Sequence, residues 1–198
     1  MFVAFLPYGD VFMNAVLKPS LYEQLLALPE HVTWEILNGG LHTIPLPSRR
    51  HAGASSSLGM RIGPPFRFGD GGPGGWWIID EPEIHFIRNQ EVAVPDLGGW
   101  RRERMPDIPE DHRFEIVPDW VCEVLSPSTA QKDRTVKLPL YARYGVAHSW
   151  LVDPLAQTLE AFEWHEGRWL LIATLKEDDA VAVPPFDAVE FSLADLWG

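Results

Sequence analysis

Apolar residues first recur at helical spacing at Leu21, Leu25 and Leu28. Ser20 stands where an N-cap belongs and Pro29 where a helix must stop, so a short helix is predicted over 21–28. Thr33 to Leu37 reads as a strand, Asn38-Gly39-Gly40 as a turn, and Leu41 to Ile44 as its hairpin partner. The Ala- and Ser-rich stretch His51 to Ile62, with Leu58 and Ile62 one turn apart, predicts a second helix. Gly63 to Gly75 is loaded with Gly and Pro and predicts a loop. It lacks the lysine and hydroxyl residue of a phosphate-binding loop.

Downstream the period shortens. Trp76 to Ile79, Ile84 to Ile87 and Glu91 to Leu97 read as successive strands, and Pro106 to Phe114 as a polar loop. Asp119 to Leu125 is apolar on both faces, which suits a central strand. Ser126-Pro127-Ser128-Thr129 supplies caps for a helix from about Ala130 to Tyr144, with Gly145 as its stop. His148 to Val152, Thr158 to Trp164 and Trp169 to Leu175 follow as strands, with Glu166-Gly167 turning the last hairpin. Phe186 to Phe191 is a final short strand. The order predicts an α/β (mixed α+β) domain over 21–198, behind an N-terminal extension over 1–20. The Glu123 strand, the helix and the Trp150 strand would form a right-handed crossover.

Composition narrows the picture. A chain of 198 residues that is 46% hydrophobic suits one domain with a full core. No apolar run nears the roughly 20 residues of a membrane span, so no membrane partner is expected. Met1 to Phe5 lacks a basic region and a cleavage site, so no signal peptide is expected, and Met13 is an alternative start. The single cysteine, Cys122, lies in an apolar run and reads as a core residue; it has no partner for a disulfide or a Cys-based zinc site. This fits a reducing, cytoplasmic setting. The net charge of −12 weighs against a broad nucleic-acid-binding face but leaves room for a local basic cluster. The densest, Arg101-Arg102-Glu103-Arg104, reads as a solvated loop or as possible nucleic-acid contacts beside Asp96.

Two carboxylates stand out. Asp96 closes the apolar run Val92-Ala93-Val94-Pro95-Asp96, and Glu123 lies inside Trp120-Val121-Cys122-Glu123-Val124-Leu125. A carboxylate in such a setting is costly unless paired, hydrogen-bonded or bound to a cation. Converging across neighbouring strands, the two would form an oxygen-rich seat for a divalent metal, suited to phosphodiester hydrolysis. Asp133, Lys137 and Tyr141 fall four apart along one helix stripe, either as a surface ion pair or with Lys137 turned to the metal face. Lys132 and Arg134 are substitutes for that cation. None of the seven histidines forms a metal pair on one helix. Ser126 and Ser128 read as caps, and Trp100 as core or as a platform for a base.

The segment Pro118-Asp119-Trp120-Val121-Cys122-Glu123-Val124-Leu125-Ser126-Pro127-Ser128-Thr129 resembles the PDlvvEvlSPST signature of the Uma-type restriction endonucleases. The resemblance runs on through Asp133, Lys137, Leu140 to Arg143, Gly145-Val146 and Trp150 to Pro154. Upstream, Pro95-Asp96 and Trp34 to Leu41 match the family's "PD" and "yEiidGel" blocks. That family belongs to the PD-(D/E)XK nuclease superfamily. The likeness implies a restriction-endonuclease-like core, a mixed sheet flanked by helices, to which the residue pattern adds an N-terminal helix and hairpin and a C-terminal β-hairpin. It implies Mg2+ or Mn2+ on Asp96 and Glu123, and DNA as the partner. Glu35 would be an early acidic residue contacting metal or water, or else a hairpin surface carboxylate. His51 stands where the family often has a histidine. The superfamily lysine is missing, since Leu125 occupies its place, and Lys137 would supply the cation. Pro139 leaves the direction of Lys137 open.

The sequence therefore predicts a metal-dependent endonuclease acting as a homodimer, with Asp96, Glu123, Lys137 and Glu35 as its catalytic set. The alternatives are a nuclease-fold binding or assembly module without turnover, and a phosphoesterase acting on a substrate other than DNA.

Overall fold

The computed structural model of the chain describes residues 19–29 and 33–197. The N-terminal extension, apart from Pro19 and Ser20, and with it Met13, lies outside the described residues, as does His31.

Helix α1 (Leu21–Leu26) starts with a capping box: the Ser20 hydroxyl accepts from Glu23 N–H, and the Glu23 carboxylate reaches back to Ser20. Strands β1 (Trp34–Leu37) and β2 (Gly40–Thr43) form the expected hairpin. Its Asn38-Gly39 turn has positive φ at both residues, as a type I′ turn requires. Helix α2 (Arg49–Ile62) buries Ala54, Leu58 and Ile62. The chain beyond it is not simply a loop. Gly63–Phe68 continues as a π-helical turn with Pro64 and Pro65 at its start, where a missing N–H is harmless.

Strands β3 (Trp76–Asp80), β4 (Glu83–Ile87), β5 (Glu91–Ala93), β6 (Leu97–Arg101), β7 (Arg113–Phe114) and β8 (Trp120–Val124) follow. The predicted single strand Glu91 to Leu97 is corrected here: it breaks at Val94–Asp96. Pro95 cannot donate to a ladder and interrupts the pairing. β5 joins a five-stranded sheet of order β2-β1-β5-β4-β7, while β6 crosses into a second, six-stranded sheet. A helical rod comes next: α3 (Ala130–Lys132), a π-helical segment Asp133–Lys137, and α4 (Leu138–Arg143). Strands β9 (His148–Asp153), β10 (Thr158–His165) and β11 (Arg168–Lys176) complete the larger sheet, in the order β11-β10-β9-β8-β6-β3. The β8–β9 pair is parallel and bridged by the rod, as the crossover pattern requires. The last predicted strand is only a short pair, β12 (Ala180–Val181) with β13 (Phe191–Ser192).

Alternation along β8 sorts its side chains. Trp120, Cys122 and Val124 enter a core under α2, and Val121 enters a second core with Leu140 and Tyr141 of α4. Phe186 lies among Phe66, Trp76, Trp120 and Trp150 at centroid distances of 4.8, 5.0, 4.9 and 5.6 Å. Such aromatic pairs contribute about 0.5–1.5 kcal/mol each beyond their buried area. Trp76, Trp100, Trp120 and Trp150 are buried core residues. Trp100 is one of them, fully buried with its indole N–H donating to Ile116 O, so it offers no face to a base.

Candidate active site

Register places the two carboxylates. Leu97 pairs with Cys122 in the antiparallel β6–β8 ladder, so Asp96, one step before β6, stands level with Glu123. Asp96 substitutes for the lost ladder: its Oδ2 accepts from Val124 N–H at 2.6 Å. Its Oδ1 lies 3.1 Å from His51 Nε2, carried on the first turn of α2.

Glu123 points to the α4 side of β8 and is buried. Lys137 Nζ lies 2.8 Å from it, and the Tyr141 hydroxyl donates to Glu123 Oε1. The same Lys137 ammonium sits 2.9 Å from Glu35 Oε1 and donates to Val94 O at 3.0 Å. Glu35 is no surface carboxylate. It is fully buried, pairs through Oε2 with Lys132 at 2.6 Å, and accepts from Val94 N–H. Pro139 does not turn Lys137 away. In a regular helix its ring would meet the carbonyl of Thr135, four residues back. The π-helical turn Asp133–Lys137 widens the helix there and carries Asp133 and Lys137 inward, both of them buried.

The charges respond to burial and to one another. Burial pushes the Glu123 carboxyl well up; Lys137 opposes this, and Asp133, Asp96 and Glu35 add to it. Burial pulls Glu35 up as well, but the ammonium groups of Lys137 and Lys132 outweigh it and hold Glu35 below its usual range. Burial would lower Lys137, yet Glu123 and Glu35 raise it, so it stays charged. Desolvation would lower His51, and its bond to Asp96 raises it. Asp133 and Glu81 are both raised, first by burial.

Glu81, Asp96, Glu123 and Asp133 line one cleft with His51, Lys132 and Lys137. Its volume is about 40 Å³, against roughly 10–15 Å³ for one water. The donor set fits a hard, oxygen-seeking cation: carboxylates outnumber the lysines, and three of them are pushed toward protonation. Among the described residues, no three His, Cys, Asp or Glu side chains converge as a ready-made cage. Mg2+ does not need one, since it binds through one or two carboxylates and keeps its remaining places for water and phosphate. Asp96 and Glu123 would hold such an ion.

Asp96, Glu123, Lys137 and Glu35 are thus brought together. The arginine run is not. β6 carries Arg101 about 16 Å from Asp96, at about 3.3 Å per residue. There Arg101 lies over the Trp76 ring, Arg102 donates to Trp76 O and Arg67 O, and Arg104 pairs with Asp119 at 2.7 Å. The run therefore stands outside the cleft that Asp96 lines. Arg134 is also drawn off, to Glu160. The sequence assigned no site role to Tyr141, Asp133 or Glu81. The helix stripe shared with Lys137 was the available signal for the first two; Glu81 gave none. Cys122 is buried, and burial pushes its thiol well up, in keeping with a core role.

The fold consists of mixed β-sheets flanked by helices. The chain is similar to the crystal structure of "a putative nuclease belonging to DUF820 from Anabaena variabilis", with a TM-score of 0.67 and 24% identity over 89% of this chain and 96% of that one. At that identity the likeness is one of fold. The chain belongs to the Uma2 family, described as "Putative restriction endonuclease", whose model matches residues 20–194. No curated protein matches the chain.

Proposed function

We propose that the chain is a metal-dependent endonuclease hydrolysing DNA phosphodiester bonds. One observation carries this: Lys137 Nζ contacts both Glu123 and Glu35 in the cleft that Asp96 lines, so the cation absent at Leu125 comes from the helical rod. A bound Mg2+ or Mn2+ would supply Lewis acidity and offset phosphate charge. The residues do the rest. Val124 N–H and His51 fix the two oxygens of Asp96, and Tyr141 orients Glu123. Lys137 stays charged and faces the cleft, where it can stabilise the charge that develops on phosphorus oxygens. Glu35 and Val94 O hold that ammonium in place.

The test is nicking of supercoiled plasmid in manganese. Asp96→Ala, Glu123→Ala and Lys137→Ala should each lower the rate by about 100-fold or more, the scale of losing one preorganised electrostatic group. Thermal melts would verify folding. Cleavage that survives both carboxylate substitutions removes this mechanism. A homodimer is the expected acting form, with exposed Leu170 and Leu171 on the β10–β11 hairpin as apolar surface for a second copy, and the cytoplasm the expected setting.

One feature favours a catalytically silent module instead. Both Glu123 oxygens are already engaged, by Lys137 and Tyr141. Calorimetric titration showing no manganese binding at millimolar ion would support that reading. Cleavage of nucleotides but of neither duplex nor single-stranded DNA would point to a phosphoesterase with another substrate.

A further inference from the structure

A second cavity shares a wall with the acidic cleft. It has a volume of about 270 Å³ and is lined by Arg49, Arg50, Ser126, Pro127, Pro154 and Leu155, among others. Ser126 lines both spaces, and His51, the Asp96 partner, follows Arg50 in the chain. The cavity lies just below the roughly 300–1,000 Å³ of small-molecule sites, a size for one nucleotide unit rather than a duplex.

Its arginines are notable for what they do not do. Arg61, Arg104 and Arg134 are each occupied by a carboxylate. Arg49 and Arg50 are exposed and make no ion pair with a described residue. They also stand in the first turn of α2, which holds no acidic residue. A cation there opposes the helix dipole, so local stability gives no reason for either. Locally unfavourable choices of this kind belong to functional surfaces. A DNA strand entering a cleft lined by Glu81, Asp96, Glu123 and Asp133 needs cations close by. Arg49 and Arg50, on its border, are paired with no described carboxylate.

We infer that this cavity binds the backbone phosphate next to the scissile one: Arg49 and Arg50 contact the phosphate, and Pro127, Pro154 and Leu155 pack against its sugar. The inference rests on the endonuclease reading and adds the path of the strand, from α2 across His51 to Asp96. Phosphate contacts position a nucleic acid without reading its sequence, so the effect should be uniform across DNA sequences.

The experiment compares wild type with the Arg49→Gln/Arg50→Gln double variant. Duplex binding is followed by fluorescence anisotropy in calcium over a salt series, and nicking is followed in manganese. The double variant should raise KM about 10–100-fold with kcat little changed, and reduce the slope of log affinity against log salt by about 2, near one for each lost contact. Its melting temperature should not fall, because two cations leave a helix start. Arg49→Lys/Arg50→Lys should restore most of the salt slope. Arg168→Gln, an exposed arginine on β11, is the control and should leave the slope unchanged. Wild-type binding and cleavage with an unchanged slope and KM in the double variant would overturn this inference alone. A wild type that neither binds nor cleaves DNA would overturn the endonuclease reading, and this inference with it.

Discussion

Removing the Lys137 side chain would leave Glu35 and Glu123 inside the protein without the cation they share. That cluster ties charge state to stability at high pH. An unfolded chain releases a tyrosine proton near pH 10 and a lysine proton near 10.4. In the folded protein both are held more tightly: burial and the Glu123 charge push Tyr141 well up, and Glu123 and Glu35 raise Lys137. The stabilisation from the raised lysine is complete below its unfolded value and is lost as pH climbs through the folded one. For the raised phenol the folded state likewise keeps a proton that the unfolded state loses. Both terms give a stability that falls as pH rises above about 10. Urea midpoints from pH 8 upward should show that fall, and Tyr141→Phe should flatten it. An equal slope in the two proteins would refute the coupling. At this scale Asp96 and Glu123 were legible, because a carboxylate in an apolar strand is a local anomaly. The buried state of Glu35 and Asp133 was not, since each looks locally like an ordinary surface acid.

The elements that hold these residues depend on close approach. β6 begins directly after Asp96, and its Gly98 leaves no room: an added Cβ would lie 2.8 Å from Pro82 Cγ and 2.9 Å from the Trp100 ring. Gly98→Ala should therefore cost about 1–3 kcal/mol, the usual range for overpacking, and lower the urea midpoint. A change within about 0.5 kcal/mol would show that the strand has slack. Strand β6 was missed in the sequence because a Gly-Gly pair reads as a break, and because Pro95 concealed a crossing between two sheets as the end of one strand. Periodicity was reliable where elements are amphipathic, as in α2 and β10, and unbroken apolar runs marked the buried strands β8 and β9. It could not reveal the π-helical turn at Asp133–Lys137, which depends on how the rod packs on β8 and how Pro139 is accommodated.

For the whole molecule, a net charge of −12 and a carboxylate-lined cleft imply that a divalent cation should stabilise the fold. A ligand at 100 times its Kd adds about 2.7 kcal/mol. In a chain of this size that corresponds to a rise in Tm of roughly 5–10 °C. Manganese should produce that rise in wild type, chelation should reverse it, and Asp96→Ala should abolish it. No shift in wild type would argue against Asp96 and Glu123 as ligands. Among the described residues, no helix is long and apolar enough to cross a membrane. The amino-acid sequence by itself determined the family, through the EVLSPST block and its downstream lysine, and most of the succession of strands along the chain, because alternation and turn chemistry are local properties. It also singled out Asp96 and Glu123. Only the tertiary structure decided that Lys137 bridges Glu35 and Glu123, that Tyr141 donates to Glu123, that His51 meets Asp96, and that the Arg101–Arg104 run lies outside the cleft. Each of these is a contact between distant segments, set by sheet register and helix packing rather than by neighbours in the chain.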